Sequence, residues 1–386
     1  MRDGWIETSL EEVAEVIMGQ SPDGKSYNQL GEGLPFMQGS AEFGEHHPTP
    51  EKWCSNPKKI AEPGDLLLSV RAPVGDTNFA NQRIAVGRGL SVIRANSKSL
   101  TEFIRFVIQL NVTEMIASSG SGMFASITGK NLKEFKVLLP PLPEQKRIVD
   151  LISSVDSYIE ALQQQLESAK RSRSAVLHEL LTAGGDDWVE TTLGEVALLN
   201  PSEPALSDAA HFAPMDAVHV GKRWLQYTEE RRDRNGARAR AGDVLFARIT
   251  PCLENGKIAQ VQSEFERCGG STEFIVVRGT EKCTSDFLYF WCTLKVNRDK
   301  AAELMTGTTG RQRLSWQGLG SLSLWLPSIT EQERIVSNIS EFDSLIEATE
   351  SAITESQNLR SGLLSDLLSG EHEIPSSYDK VIGAAS

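Results

Sequence analysis

The sequence predicts an α+β fold in which two α/β globular domains are separated by two long helices that form an antiparallel intramolecular coiled coil. Two observations support this prediction. Apolar residues between positions 143 and 181 recur at alternating spacings of four and three residues, which is the pattern of a heptad seam. The same seam returns 187 positions later, so the chain contains an internal duplication.

The two predicted seams match position by position. Their flanking residues agree as well, because Glu144-Gln145 returns as Glu331-Gln332. Even the polar interruption of the first seam, Arg173, recurs as Arg360 in the second. The apolar seam positions are Ile148, Ile152, Val155, Ile159, Leu162 and Leu166 in the first copy, and Ile335, Ile339, Phe342, Ile346, Ile353, Leu363 and Leu367 in the second.

A helix of about 38 residues rises about 57 Å and must bury its seam against a partner. The other copy of the helix is the nearest partner, since a domain between the two copies lets the chain turn back on itself. The alternatives are that each helix docks on its own domain or pairs in a homodimer. Both seams degrade at the same place, which favours pairing within one chain.

Proline, glycine and capping residues mark the predicted boundaries. Pro140 to Pro143 precede the first helix, and Ser328 with Glu331 forms a capping box at the start of the second. Gly184-Gly185 and Gly370 are stop signals. The resulting assignment is two globular domains at 1–142 and 184–327, two helices at 143–183 and 328–370, and a mobile tail without apolar periodicity at 371–386.

The globular domains are also related to each other. Trp5-Ile6-Glu7-Thr8 returns as Trp188-Val189-Glu190-Thr191, and each tryptophan is predicted to be a buried anchor. In each domain a Gly-Asp turn leads into an apolar run, predicted to be a buried strand, that ends at Arg71 or Arg248. Further strands are predicted at 89–94 and 273–278, and helices at 100–117 and 285–305.

Charge and cysteine content indicate which partners and which cellular compartment to expect for the chain. The formal net charge is −13, but residues 331–371 alone contain 2 basic and 9 acidic residues, so the second helix should face protein or solvent. The five cysteines include no C-x-x-C pair, which fits a reduced, cytoplasmic protein. The sequence has no run of 18 apolar residues, so no membrane partner is expected.

The sequence contains no recognisable catalytic motif. The sequence lacks three common motifs: a P-loop, a G-x-G-x-x-G turn after a strand, and an H-E-x-x-H helix. We therefore expect a chain without an enzymatic site or a cofactor of its own. His46, His47 and Cys54 are candidate metal ligands, but no fourth ligand follows at finger-like spacing. We therefore expect no metal site.

Two small-residue loops and one basic segment are candidates for contact with nucleic acid. The loops at 118–124 and 306–313 can approach phosphates closely, and the segment 222–248 combines arginines with aromatic residues. Tight connections and a salt-bridged surface loop are the alternatives. The candidate DNA-binding residues are Arg71, Arg88, Ser119, Ser121, Met123, Arg223, Arg248, Lys257, Thr308, Thr309, Arg311, Gln312 and Arg313.

The order domain, helix, domain, helix resembles the specificity (S) subunits of type I restriction-modification systems. The resemblance covers about residues 5–369 and rests on four strings: Gly64-Asp65-Leu66-Leu67-Leu68-Ser69-Val70-Arg71, the run from Gly242 to Lys257, Gly270-Ser271-Thr272-Glu273-Phe274, and Leu139-Pro140-Pro141-Leu142-Pro143-Glu144-Gln145. Each string alone is weak, but together they are specific.

This resemblance implies a DNA-reading subunit without catalysis of its own. Each globular part would be a target-recognition domain reading half of a bipartite site in double-stranded DNA, with the helices as a spacer. Two methyltransferase (M) subunits with S-adenosylmethionine would methylate adenine, and restriction (R) subunits would use ATP and Mg²⁺. The family does not preserve its base-reading residues, so the resemblance assigns none. A coiled-coil adaptor that does not bind DNA is the alternative.

Overall fold

The computed structural model describes residues 4–118, 126–185, 187–206, 210–231, 236–308 and 310–379. The chain divides into two compact units. Unit 1 comprises Met1–Leu162 and Ala352–Ser386, and unit 2 comprises Gln163–Ser351. Each unit therefore contains one globular domain together with part of each long helix.

Unit 1 begins with short strands and ends in the long helices. Its helices are α1 Leu10–Val13, α2 Thr101–Ser118, α3 Gly129–Glu134, the first part of α4 Leu142–Thr182 and the last part of α9 Ile329–Leu368. Its strands are β1 Ile6–Ser9, β2 Ala14–Met18, β3 Tyr27–Asn28, β4 Leu34–Met37, β5 Lys52–Cys54, β6 Ile60–Ala61, β7 Leu66–Ser69, β8 Thr77–Phe79, β9 Ile84–Val86, β10 Leu90–Ala95 and β11 Lys136–Leu139.

Two sheets form the body of the unit 1 domain. One has the order β2-β10-β7-β8, and the other has the order β3-β5-β4-β9-β6 with β4 and β9 parallel. The predicted buried strand β7 lies inside the first sheet, and its alternating side chains enter two cores. Leu66 and Leu68 pack with α2 and the long helices, whereas Leu67 packs with the second sheet. This double burial explains the continuous apolar run.

Unit 2 repeats this arrangement with different residues. Its helices are the last part of α4, α5 Leu193–Val196, α6 Ser285–Thr293, α7 Lys295–Glu303, α8 Trp316–Gly320 and the first part of α9 Ile329–Leu368. Its strands are β12 Val189–Thr192, β13 Leu198–Leu199, β14 Ala210–Ala213, β15 Glu229–Arg231, β16 Ala237–Arg240, β17 Val244–Ala247, β18 Ile258–Gln260, β19 Arg267–Gly270, β20 Phe274–Arg278 and β21 Ser323–Leu326.

The sheets of unit 2 show the duplication in their strand order. β13-β20-β17-β18 corresponds to β2-β10-β7-β8, and β15-β14-β19-β16 again contains one parallel pair, β14 with β19. In both units the strand after the tryptophan pairs with the strand before a long helix, as β1 with β11 and β12 with β21. Trp5 is buried as predicted, while Trp188 is half-buried.

One predicted helix is broken. The expected helix at 285–305 consists of α6 and α7, because the backbone at Leu294 is extended, with φ −63° and ψ 126°. The side chain of Asn297 donates to the carbonyl of Trp291 at 2.9 Å and so satisfies the end of α6. The capping bond satisfies a carbonyl at the end of α6, so the helix can stop there although the apolar periodicity continues.

The long helices pair within each unit, as predicted. In unit 1 the core contains Ile148 and Ile152 of α4 with Leu364 and Leu367 of α9. In unit 2 it contains residues from the end of α4 and from the start of α9. The start of one helix therefore packs with the end of the other, which is the antiparallel arrangement within one chain.

The predicted seam residues are buried to different degrees. Ile148, Ile152, Ile159, Ile335, Ile339 and Leu367 are buried, whereas Val155, Leu162, Leu166, Phe342, Ile346, Ile353 and Leu363 are half-buried. Half-burial is expected where a two-helix seam has solvent on both sides. None of the described helices is long and apolar enough to cross a membrane.

The polar interruptions of the seam are cross-helix ion pairs. Arg173 of α4 bonds to Asp343 of α9, with Nη2 3.2 Å from Oδ2. Arg360 of α9 bonds in the same way to Asp156 of α4, with Nη2 3.1 Å from Oδ2. Each guanidinium donates two bonds to one carboxylate, a geometry that fixes the register of the two helices.

A buried glutamine holds the start of each long helix on its domain. Gln145 and Gln332 are both fully buried, and each donates to two backbone carbonyls and accepts from one backbone amide. The partners are the carbonyls of Lys98 and Pro140 and the amide of Leu100 for Gln145, and the carbonyls of Lys282 and Pro327 and the amide of Thr284 for Gln332. These contacts explain the repeated Pro-x-x-x-Glu-Gln strings, Pro140 to Gln145 and Pro327 to Gln332.

Replacing Gln332 with leucine is expected to destabilise unit 2 by about 2 kcal/mol, because two carbonyls and one amide lose their partner inside the protein. Urea unfolding followed by circular dichroism measures this effect. Gln164→Leu, at an exposed position of α4, is the matched control and should change stability by less than about 0.5 kcal/mol. Equal effects for both variants would contradict a role for Gln332 in helix docking.

The segment after α9 differs from the expected mobile tail. Ile374 is buried in the core of unit 1, and Tyr378 packs against the same core. Asp379 accepts two bonds from Arg147, at 2.8 and 2.9 Å. The contacts of Ile374, Tyr378 and Asp379 are not indicated by the sequence, because isolated anchors carry no periodicity, and 380–386 lie outside the described residues.

Candidate nucleic-acid interface

In each unit an arginine follows a strand that is buried along its whole length. All four residues of β7 and of β17 are buried, as is Val70 after β7, so the chain emerges from the core at Arg71 in unit 1 and at Arg248 in unit 2. Arg71 is exposed and Arg248 is half-buried. The strand thus places a cation at a fixed point on the edge of each domain.

The Gly-Asp turn before this strand has a structural role. Gly64 and Gly242 have φ values of 89° and 86°, which an L side chain rarely adopts. The next residue, Asp65 or Asp243, is buried and accepts a backbone N–H from the turn. Each aspartate also pairs with an arginine of the neighbouring strand: Arg94 for Asp65, and Arg278 for Asp243.

The small-residue loop of unit 2 lies beside Arg248. Ile249 pairs with Arg313 through the backbone, and the amide of Leu314 donates to the carbonyl of Arg248 at 2.8 Å. Thr306 also pairs with Arg313 and closes the loop at 306–313. Two candidate groups that are about 60 positions apart in sequence are thus brought together.

Unit 1 has the same backbone pairing. Arg71 pairs with Ser126, and the amide of Ile127 donates to the carbonyl of Val70 at 3.0 Å. Ser126, which follows the small-residue loop in sequence, therefore lies beside Arg71, much as Arg313 lies beside the residue after Arg248. The candidates Ser119, Ser121 and Met123 on this loop, and Thr309 in unit 2, lie outside the described residues.

The charged groups of the unit 2 site differ in how far they are neutralised. Arg313 forms an ion pair with Glu273 at 2.8 Å, and this bond raises the pKa of Arg313. Arg311 is exposed and forms no ion pair with another described residue. Thr308 is exposed beside it, while Gln312 is half-buried and its backbone carbonyl accepts a bond from the amide of Thr250. Arg311 is therefore the cation of this loop most available to a ligand.

Arg248 faces a cavity of about 350 Å³ that is also lined by Asn200, Arg238 and Thr272. Its Nε atom is buried and has no hydrogen-bond partner among the described residues. An arginine side chain at the wall of an open cavity can bond to a phosphate or a base edge. In contrast, Lys257 is already engaged, since its Nζ donates to the carbonyl of Met215 at 3.0 Å.

Arg223 lies elsewhere, between the domain and α9. Its guanidinium bonds to Asp286 at 2.6 Å and to Gln260 at 2.8 Å, and lies 3.5 Å from the hydroxyl of Ser340 on α9. It also packs over the ring of Trp224, 4.7 Å from the centroid. These contacts favour a structural role for Arg223, which charge alone does not distinguish from DNA binding.

Arg105 of α2 has a similar position in unit 1. It lies 3.9 Å from Asp156 of α4 and 5.0 Å from the ring centroid of Phe106, and burial lowers the pKa of its guanidinium. The remaining candidate, Arg88, is exposed and donates from Nε to the hydroxyl of Ser21 at 3.0 Å. The structure thus brings Arg248 together with the 306–313 loop, but not with Arg223.

A set of possible metal ligands lies at a different place in unit 1. The ligand atoms of Glu45, His46 and Glu160 all lie within 4.8 Å of one another. The sequence does not predict this cluster, because Glu160 is on α4, far along the chain from the other two residues. His47 instead faces the carbonyl of Phe79 at 3.1 Å, and Cys54 is buried in β5.

Comparison with known families agrees with the duplication. The family described as the type I restriction modification DNA specificity domain matches residues 2–171 and, a second time, residues 186–356. Each matched segment covers one globular domain and most of the long helix that follows it.

Relatives of this chain include specificity subunits of type I restriction enzymes. The MjaX subunit of Methanocaldococcus jannaschii is 39% identical over 46% of this chain, and the alignment spans 42% of that protein. The chain therefore matches less than half of this relative's length. The EcoBI subunit of Escherichia coli is 20% identical over 96% of this chain and 87% of its own length.

Solved structures share the fold. An S subunit from M. genitalium aligns over 94% of this chain and 96% of its own, with a TM-score of 0.58 and 14% identity. The HsdS subunit from Thermoanaerobacter tengcongensis aligns over 96% and 98%, with a TM-score of 0.52 and 19% identity. At this identity the similarity concerns the fold.

Proposed function

Because this chain belongs to the type I restriction modification DNA specificity family, we propose that it is the DNA-recognition subunit of a type I restriction-modification complex. Its two domains read the two halves of a bipartite site in double-stranded DNA. Two methyltransferase subunits and the restriction subunits supply the catalysis. S-adenosylmethionine, ATP and Mg²⁺ belong to those partners, and this chain contributes no catalytic residue.

One observation carries this proposal. Among the described residues, each unit has the same backbone arrangement, in which the segment that ends or follows a small-residue loop pairs next to an arginine after a buried strand. The loops that complete it differ in sequence, with Ser119-Gly120-Ser121-Gly122-Met123 in one and Thr308-Thr309-Gly310-Arg311-Gln312 in the other. One scaffold with two different loops is suited to reading two unlike half-sites.

The chemistry of the unit 2 site supports contact with DNA. Arginine donates to phosphate oxygens and makes paired bonds to the O6 and N7 atoms of guanine. Arg311 is exposed, and the half-buried Arg248 lines a cavity of the same domain. Each domain carries slightly more acidic than basic residues, so the isolated chain should have only a modest affinity for DNA. The methyltransferase subunits should increase the affinity of the assembled complex.

The long helices serve as a spacer and as docking surfaces. Their 41 and 40 residues correspond to about 60 Å each. Because the helices are copies of each other, they offer two similar surfaces for two identical methyltransferase subunits. The acidic face of α9 suits a protein partner rather than phosphates. A cytoplasmic location follows from this role and agrees with the five free cysteines.

Methylome sequencing of cells that express this chain with its methyltransferase partner tests the proposal. We expect adenine methylation at one bipartite motif, with two short half-sites separated by a gap of fixed length. Cells that lack this chain should lose that methylation. Methylation that is unaffected by loss of the chain, together with intact partner binding, would instead indicate an adaptor that does not read DNA.

Replacing Arg311 with alanine should weaken specific DNA binding of the assembled complex about 10-fold, and Arg248→Ala by about the same factor, because each removes one charged contact of about 1–3 kcal/mol. Fluorescence anisotropy at several salt concentrations measures both effects. Lys300→Ala is the control, since this exposed lysine lies on α7. Affinity within about twofold of the parent protein for all three variants would contradict a DNA contact at this loop.

A further inference from the structure

Each unit has a loop at the same point of its fold that rests against the long helices. We name 43–51 the first joint loop and 218–228 the second joint loop. The first follows β4 and a short 3₁₀ turn and leads into β5, and the second follows β14 and a similar turn and leads into β15. In both cases the loop connects two antiparallel neighbours of one sheet, so the loops correspond.

The second joint loop is tied to the helices by lysines. Lys222 lies 2.6 Å from Oε2 of Glu350 on α9, and Lys170 of α4 lies 3.1 Å from Oε1 of the same carboxylate. The bond from Lys222 lowers the pKa of Glu350. Glu347 lines the same small cavity as Lys222. In unit 2, therefore, lysines of the protein neutralise the glutamate that lies between the second joint loop and the long helices.

The first joint loop brings carboxylates and an imidazole to the helix instead. Glu45 and His46 of the loop converge with Glu160 of α4, with all three ligand atoms within 4.8 Å of one another. Glu160 precedes Glu347 by the 187 positions that relate the two helices. Neither Glu45 nor Glu160 forms a salt bridge with a lysine or arginine in the part of the chain that the structure describes, and the nearby Arg105, which interacts with Glu160 through charge, pairs with Asp156. Two carboxylates this close repel each other unless a cation lies between them.

The ligand positions are fixed by the rest of the domain. The side chain of Asn78, on β8, donates to the carbonyl of Gly44 at 2.6 Å. His47 is held by the carbonyl of Phe79, also on β8, and the amide of Thr49 donates to the carbonyl of Glu42 at 2.9 Å. These bonds on both sides of the two ligands hold the loop in one shape, so little ordering is needed when an ion binds.

We propose that Glu45, His46 and Glu160 bind a divalent transition-metal ion that ties the first joint loop to α4. One imidazole and two carboxylates are ligands that Zn²⁺ and Mn²⁺ both accept, with the remaining positions filled by water. The ion replaces, in unit 1, the lysines that tie the second joint loop to the helices in unit 2. Its role is structural, because it holds a recognition domain on its helix.

Metal binding by the full-length protein tests this proposal, and DNA is not needed, so the result is independent of the proposed function. After treatment with a chelator, the protein is titrated with Mn²⁺ and followed by electron paramagnetic resonance, and separately with Zn²⁺ by calorimetry. Mn²⁺ is the main probe, because the free cysteines compete for Zn²⁺. We expect one Mn²⁺ per chain and a higher unfolding temperature with the ion.

His46→Ala and Glu160→Gln should each weaken Mn²⁺ binding at least 10-fold. The matched control is His219→Ala, an exposed histidine of the second joint loop, which should leave binding unchanged. Circular dichroism establishes that each variant is folded, and the near-isosteric Glu160→Gln keeps the test decisive if His46→Ala is unstable. Absence of binding to the parent protein, or binding that survives both substitutions, would overturn the proposal.

Discussion

Replacing Arg278 with methionine is expected to destabilise unit 2 by about 3 kcal/mol, because the change leaves two buried carboxylates without their main cation. Arg278 donates to Asp243 at 2.7 Å through two nitrogens and to Glu203 at 2.7 Å through the third. The side chains of Asp243 and Glu203 are both only 2% exposed. Urea unfolding at pH 7 measures the loss.

The effect should depend on pH in a defined direction. The bond from Arg278 lowers the pKa of Glu203 below its ordinary value of 4.5. A carboxyl group with a lowered pKa stabilises the folded protein above the pKa of the unfolded chain, and this stability is lost as the pH falls. The difference between the parent protein and Arg278→Met should therefore be full at pH 7 and shrink as the pH falls below about 4.5.

Arg240 provides the matched control for this network. It also pairs with Glu203, at 2.8 Å, but its side chain is 55% exposed, so water replaces much of what it contributes. Arg240→Met should cost less than about 1 kcal/mol. Similar losses for Arg240→Met and Arg278→Met, or a loss for Arg278→Met that does not change with pH, would show that the buried network does not stabilise unit 2.

The parts of the fold that follow a period could be predicted from the sequence. The heptad seams, their duplication and the buried strands β7 and β17 all repeat at short spacing, and the structure confirms them. The partners of Arg173 and Arg360 could not be predicted in this way. Asp343 and Asp156 lie 170 and 204 positions away in the chain. The sequence alone therefore does not show that a charged residue in a seam forms an ion pair with the other helix.

The candidate site could be predicted only in part, again because its contacts join residues that are far apart in the sequence. Composition identified Arg248 and the loop at 306–313, and the fold placed them side by side through the pairing of Ile249 with Arg313. Composition identified Arg223 equally well, yet its partners on α6 and α9 hold it against the helix. Only tertiary contacts separate an arginine that fastens a domain from one that is free to bind DNA.

Inserting four residues after Gln163 in α4, together with four after Ser351 in α9, is expected to lengthen the gap in the recognised DNA site by one or two base pairs. Four residues add about 6 Å to each helix, and DNA rises about 3.4 Å per base pair. Four residues also make about one helical turn, so the seams on both sides of the insertion stay in contact. The half-sites should not change, because the recognition loops are untouched.

Methylome sequencing with the methyltransferase partner measures the gap directly. The control is a four-residue insertion after Gly31, an exposed turn of the unit 1 domain, which should leave the gap unchanged. A shift in the gap with constant half-sites assigns spacing to the helices and sequence to the domains. An altered half-site with the original gap would mean that the helices do not set the spacing, because lengthening a spacer changes the separation of two readers without changing what each one reads.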